Sequence, residues 1–158
     1  MKENSKMIER LKNQLNEIES FIHKGDIHKE KISQKGTYWH IDHSLKVLEG
    51  IPEVLKNSNP QDYKPKFSFI KFMIMNTGYM PRGKGRAPKQ VIPEGELSKK
   101  ELLLKFEKVK TNIESLKTLE KDKTFKHPLF GWLNLNDTVK FMGIHTHHHI
   151  KIIRDILK

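Results

Sequence analysis

The chain has 158 residues, 30 Lys and Arg against 19 Asp and Glu, a formal net charge of +11 and no cysteine. That length suits one domain, read here as spanning 1–158, and is too short for two with substantial cores. Without cysteine there is no disulfide, thiolate ligand or thiol nucleophile, so any metal site has to be made of imidazole, carboxylate and water.

The N-terminus runs straight into an amphipathic pattern rather than an apolar leader, and no run approaches the roughly 18 apolar residues of a membrane span. A soluble cytoplasmic protein is the expectation, without a membrane partner. The positive charge favours an anionic partner. It is spread over helical faces, however, and the 8% aromatic content offers no evident stacking platform for single strands.

The first predicted helix covers 4–24, with Ile8, Leu11, Leu15, Ile18 and Ile22 at spacings of three and four and Gly25 placed to end it. Residues 26–36 are polar, and His23 and His28 read as solvated. A second helix is expected from Tyr38 to about Asn57, with Pro52 demanding a kink or restart. Its aliphatic arc holds Ile41, Leu45, Val47 and Leu48; His40 falls within that arc and His43 on its flank, so periodicity alone selects His40 as the buried one.

After breaks at 57–60 and 64–66, the apolar run 67–75 reads as a short helix covering one end of the core, since no second strand is evident to pair with it. Residues 77–97 form a long irregular stretch. Within it Arg82, Lys84, Arg86 and Lys89 stand among glycines and prolines, a cationic loop able to hold an anionic cofactor or substrate group, or simply a solvated connection.

Ser98-Lys99-Lys100-Glu101 is a capping box, followed by Leu102, Phe106, Val109, Ile113 and Leu116 on one helical face running to about residue 121. Residues 125–132 read as an apolar connector, Asn134 as an N-cap with Asp137 three residues on, and 135–157 as the last helix. This last helix carries four histidines in five positions, His145, His147, His148 and His149. At about 100° per residue, His145 and His149 share the inward arc with Phe141, Met142, Ile152, Ile153 and Ile156. His147 points away, and His148 lies at the boundary.

Two histidines one turn apart on an aliphatic face can aim two nitrogens at one divalent cation, which would compensate the desolvation of both rings. The alternative is a pair of ordinary core histidines. Long amphipathic segments without a convincing strand predict an all-α, up-and-down four-helix bundle with a short extra helix and a long basic loop. In such bundles the ligands come from facing helices, and the second helix is the only other candidate bearing histidines.

Taken together, Trp39-His40-Ile41-Asp42-His43-Ser44, the loop Pro81-Arg82-Gly83-Lys84 through Ala87-Pro88-Lys89, His127-Pro128-Leu129-Phe130-Gly131 and His145-Thr146-His147-His148-His149 resemble the DinB-like superfamily of metal-dependent enzymes, in a branch known as a domain of unknown function. The resemblance covers nearly the whole chain. It implies a four-helix bundle holding one divalent metal, usually zinc or nickel, on three histidines, which by position are His43, His145 and His149. The chain departs from many members in continuing with Ile150-Lys151-Ile152 where they carry Arg-Gly-Gln.

The resemblance also implies a small-molecule substrate and an activity such as thiol-dependent S-transfer, with a low-molecular-weight thiol as co-substrate, or hydrolysis. His40 and His148, with Asp42, are then candidates to orient a ligand ring or carry a proton, and Arg82, Lys84 and Arg86 to bind the cofactor. A metal-holding protein without turnover and a basic nucleic-acid-binding protein are the competing readings. Nucleic acid is the less favoured partner, and a homodimer is left open.

Overall fold

The computed structural model describes residues 2–158. Five α-helices, α1 (Lys2–Ile22), α2 (Thr37–Lys56), α3 (Phe69–Thr77), α4 (Lys99–Ser115) and α5 (Leu135–Leu157), are joined by loops and by a two-stranded hairpin, β1 (Thr124–His127) and β2 (Gly131–Asn134). The fold is predominantly helical. Among the described residues no helix is long and apolar enough to cross a membrane.

The regular apolar stripes pack as the spacing predicts. Ile8, Leu11, Leu15 and Ile18 of α1 meet Leu102, Phe106, Val109 and Ile113 of α4, together with Val139, Met142 and Ile153 of α5, in one buried cluster. Helix α1 packs on α4 and α5, and α2 packs on the same two helices. Each fully buried aliphatic side chain contributes about 1.5–3 kcal/mol by leaving water, so this shared core fixes the helix faces that carry the site. Pro52 sits inside α2 without ending it. The missing hydrogen bond is offset by burial of Ile51, Pro52 and Leu55 on either side of the interruption.

Helix termini follow local chemistry. Asn134 accepts the Asp137 amide at 2.8 Å, and Ser98 with Glu101 closes the expected capping box on α4. Helix α2 differs, because its N-cap is Gly36, which has no side chain to offer. Asp26 takes over the role from ten residues upstream, its Oδ1 accepting the Tyr38 amide at 3.0 Å. A Cβ on Gly36 would lie 2.5 Å from that same oxygen, so glycine is what lets the carboxylate reach the helix. The polar stretch 26–36 is therefore an ordered cap and not only a solvated connection.

Two expectations are corrected. The stretch 125–132 is not a featureless connector but most of a hairpin, with Thr124 opposite Asn134 and His127 opposite Gly131. Its strands are only four residues each, too short to show a period of two. The turn needs Gly131 at φ +72°, the left-handed conformation glycine tolerates. His127 Nδ1 accepts the amides of Leu129 and Phe130 at 3.1 Å each.

The second correction concerns α3. It is helical, capped by Ser68 and ended by Gly78 at φ +65°, yet it buries only Ile74 and Met75. Phe67, Phe69, Ile70, Phe72 and Met73 face solvent, so the apolar run does not cover the core as its composition suggests.

Replacing Asp26 by Ala removes the side-chain acceptor of the Tyr38 amide at the start of α2 and should cost about 1–2 kcal/mol, seen as a drop of several degrees in Tm. Asp26→Asn, which keeps an acceptor oxygen, should recover most of the loss.

Candidate metal centre

Helix α2 places His40 and His43 three residues apart, and α5 places His145 and His149 one turn apart. All four side chains are buried, between 4% and 7% exposed. Because α2 and α5 pack directly on each other, these faces converge. His43, His145 and His149 each bring a ring nitrogen to within 4.8 Å of the others. Among the described residues they are the one group of three or more metal-capable side chains found together. The inward turn of His145 and His149 is as the helical wheel predicts. His40 and His43 are both buried, so the wheel did not separate them; proximity does.

Each ring has a different second contact. His43 Nδ1 lies 2.8 Å from the Val91 carbonyl oxygen and therefore carries the proton, which leaves Nε2 as a bare lone pair. That Nε2 faces His145 Nε2 across 3.1 Å. Zinc–nitrogen bonds of about 2.0–2.1 Å at tetrahedral angles set neighbouring nitrogens roughly 3.3 Å apart, close to this separation. His149 Nδ1 lies 3.0 Å from His40 Nδ1. His145 Nδ1 is buried with no hydrogen-bond partner among the described residues.

The residues fit a cation. A single proton can bridge the His43–His145 contact, and one cation could be held by all three converging imidazoles at once. The all-nitrogen donor set suits the late first-row divalent ions. No carboxylate joins the group. Asp42, a candidate for orienting a ring, instead forms ion pairs with Lys105 of α4 and, at 3.4 Å, with Lys46, so its role is to tie helices together.

Electrostatics keep the rings neutral. Burial, reinforced by the neighbouring His43, His148 and Arg82, pushes the His40 pKa down to about 4. Burial drives His145 and His149 well below the usual histidine value, with the surrounding imidazoles adding to the effect. His43 is also lowered by burial, partly countered by its bond to Val91. Neutral imidazole is the form that binds metal.

The loop between α3 and α4 lies against this cluster at several points. Besides the Val91 contact, Lys46 donates to the Ile92 carbonyl at 2.9 Å, Arg82 donates to Asp155 of α5 at 2.7 Å, and the Met80 backbone bonds His148. Trp39 stacks on His43, with ring centres 5.2 Å apart and planes 15° from parallel, and meets His40 edge-on at 5.2 Å. Arg82 is near enough to depress both His40 and His148. Lys84 and Arg86 are exposed and are not brought into the cluster.

Val91 and Ser33, which lies 2.9 Å from His40 Nε2, are not marked by the sequence, and Trp39 enters there only as part of a motif, with no role of its own. The adjacency of Trp39 to His40 and His43 was a usable signal. Nothing in the pattern marks a backbone carbonyl or a loop serine. No family model, curated protein or solved structure matches the chain.

The lowered histidines make stability depend on pH in a definite direction. Above about pH 6.5, the ordinary histidine value, neither folded nor unfolded chain is protonated at these sites. Below it the unfolded chain binds protons that the folded one refuses, until the pH nears 4 where His40 and His127 titrate in the folded state. The urea midpoint of the metal-free protein should therefore fall steadily from pH 6.5 to pH 4. A flat midpoint over that interval would contradict neutral burial of these rings.

Proposed function

We propose that the protein is a metal-dependent enzyme of the DinB-like kind, in which α1, α2, α4 and α5 form a four-helix bundle and His43, His145 and His149 hold one zinc or nickel ion. The observation that carries this reading is the convergence of three buried, neutral imidazoles from two helices on one point. Three protein ligands rather than four are the pattern of catalytic rather than closed structural sites. A bound divalent cation would lower the pKa of a thiol or water in its open position, giving a nucleophile near neutral pH.

The chain's own groups supply the rest. Val91 holds His43 in the tautomer that presents Nε2, and Trp39 stacked on the same ring excludes water from that side. Arg82 at the edge of the cluster favours an anionic group on the small-molecule substrate or thiol. His148, half-buried and held by the Met80 backbone, can accept a proton at its remaining nitrogen. Transfer to a low-molecular-weight thiol and hydrolysis both fit this arrangement.

His145→Ala should abolish stoichiometric zinc or nickel binding, measured by elemental analysis of untagged protein, while the helical circular dichroism persists. Full metal content in that variant would remove the basis of the proposal. Activity would then be sought by screening small thiols with an electrophilic substrate.

One observation favours a second reading. From residue 63 to residue 93 there is no Asp or Glu but seven Lys and Arg, and the same stretch exposes the rings of Phe67, Phe69, Phe72 and Tyr79. Interleaved cations and bare rings suit a single-stranded nucleic acid. On that reading, binding to a labelled oligonucleotide at low salt should weaken steeply as salt rises and be lost when Arg82, Lys84 and Arg86 are neutralised; no binding at low salt excludes it.

A further inference from the structure

The contact between His40 and His149 is left unused by the metal site itself. His149 Nδ1 and His40 Nδ1 lie 3.0 Å apart, and His40 Nε2 lies 2.9 Å from Ser33 Oγ. Ser33 Oγ in turn accepts the Lys35 amide at 3.0 Å. A hydrogen-bonded chain thus runs from an α5 histidine, through an α2 histidine, to a serine in the 26–36 segment. We infer that His40 and Ser33 are positioning residues that select the tautomer of His149 and thereby decide which of its nitrogens is offered to a cation. This inference rests on the metal-centre reading.

Both rings are buried and neutral, so each carries one proton, and the contact between the two Nδ1 atoms holds one proton between them. Only two arrangements satisfy it. In the first, His149 Nδ1–H donates to His40 Nδ1, His40 Nε2–H donates to Ser33 Oγ, and His149 Nε2 is a bare lone pair. In the second, the Ser33 hydroxyl donates to His40 Nε2, His40 Nδ1–H donates to His149 Nδ1, and His149 Nε2 carries a proton and cannot bind metal.

Ser33 Oγ already receives the Lys35 amide and keeps a lone pair for His40, so it can terminate the first arrangement. Cation binding at Nε2 requires that arrangement. His40 is absent from the group whose nitrogens converge, so its place is behind a ligand rather than among the ligands. The three rings are backed unequally: a carbonyl behind His43, an imidazole and hydroxyl behind His149, and nothing behind His145 Nδ1. Of these supports, only the one behind His149 is made of side chains.

The test uses the full chain with zinc, comparing wild type, His40→Leu, His40→Asn and Ser33→Ala. Zinc affinity is read by competition with a chelator, and the ring nitrogens of His149 by nitrogen-15 NMR with and without zinc. Wild type should show His149 protonated on Nδ1 and ligated through Nε2. His40→Leu should weaken zinc by about 10–100-fold, and His40→Asn, which can return an acceptor oxygen near the position of Nδ1, should stay within a few-fold.

Ser33→Ala, outside the helical core, should weaken zinc and shift the metal-free His149 ring toward Nε2 protonation. It carries the affinity test if His40→Leu does not fold. Zinc affinity unchanged in both His40→Leu and Ser33→Ala, or His149 protonated on Nε2 in wild type, would overturn the inference. Wild type that binds no zinc would instead defeat the metal reading. The metal-free NMR tautomer would then still distinguish the two hydrogen-bond arrangements.

Discussion

Burying four imidazoles between two packed helices is the constraint on which the rest of the structure turns. Each ring brings a donor and an acceptor into a place where water cannot serve them, and an unmet polar group there costs about as much as a good core contact gains. The fold meets these needs one by one: a loop carbonyl for His43, a second imidazole for His149, a serine for His40, and an aromatic plane over His43. Among the described residues, the one histidine nitrogen left without a hydrogen-bond partner is His145 Nδ1, while His43 Nε2 and His145 Nε2 face one another at 3.1 Å. The three converging rings could hold a cation, within an otherwise nearly completed set of hydrogen bonds.

Charge is distributed so that no anion competes for that position. Asp42 is the nearest carboxylate in sequence, between two site histidines, yet Lys46 and Lys105 occupy it. Asp155 on α5 is engaged by Arg82 and Lys158. A dication held by three neutral rings would keep its full charge among apolar walls, where electrostatic attraction is strong.

The long helices were legible because their signals are redundant: a stripe of five aliphatic residues in α1, a capping box on α4 and an Asn cap on α5 each state the same answer twice. The inward placement of His145 and His149 followed from that periodicity alone. The choice between His40 and His43 did not, because both lie on the buried side of α2 and a wheel cannot say which of two inward residues meets a partner helix at a given height. The hairpin was hidden by its brevity. For α3, an apolar composition predicts a helix facing inward, whereas most of its large apolar side chains face out, so composition fixes the element but not its orientation. Val91 and Ser33 reach the site through the path of loops, which no residue pattern encodes.

Strand β2 ends at Asn134 and α5 begins at the next residue, so the hairpin and the ligand helix share a junction with no slack. The strand register fixes where Asn134 sits, and the helix then counts eleven residues to His145 and fifteen to His149. One residue inserted in that interval would rotate everything beyond it by about 100°, carrying both rings out of the core together. The length of this segment is therefore as binding as its chemistry. Divergent descendants of this chain would have to accumulate insertions and deletions elsewhere, with the long loop between α3 and α4 bearing them at its exposed middle rather than at the carbonyls that touch the histidines.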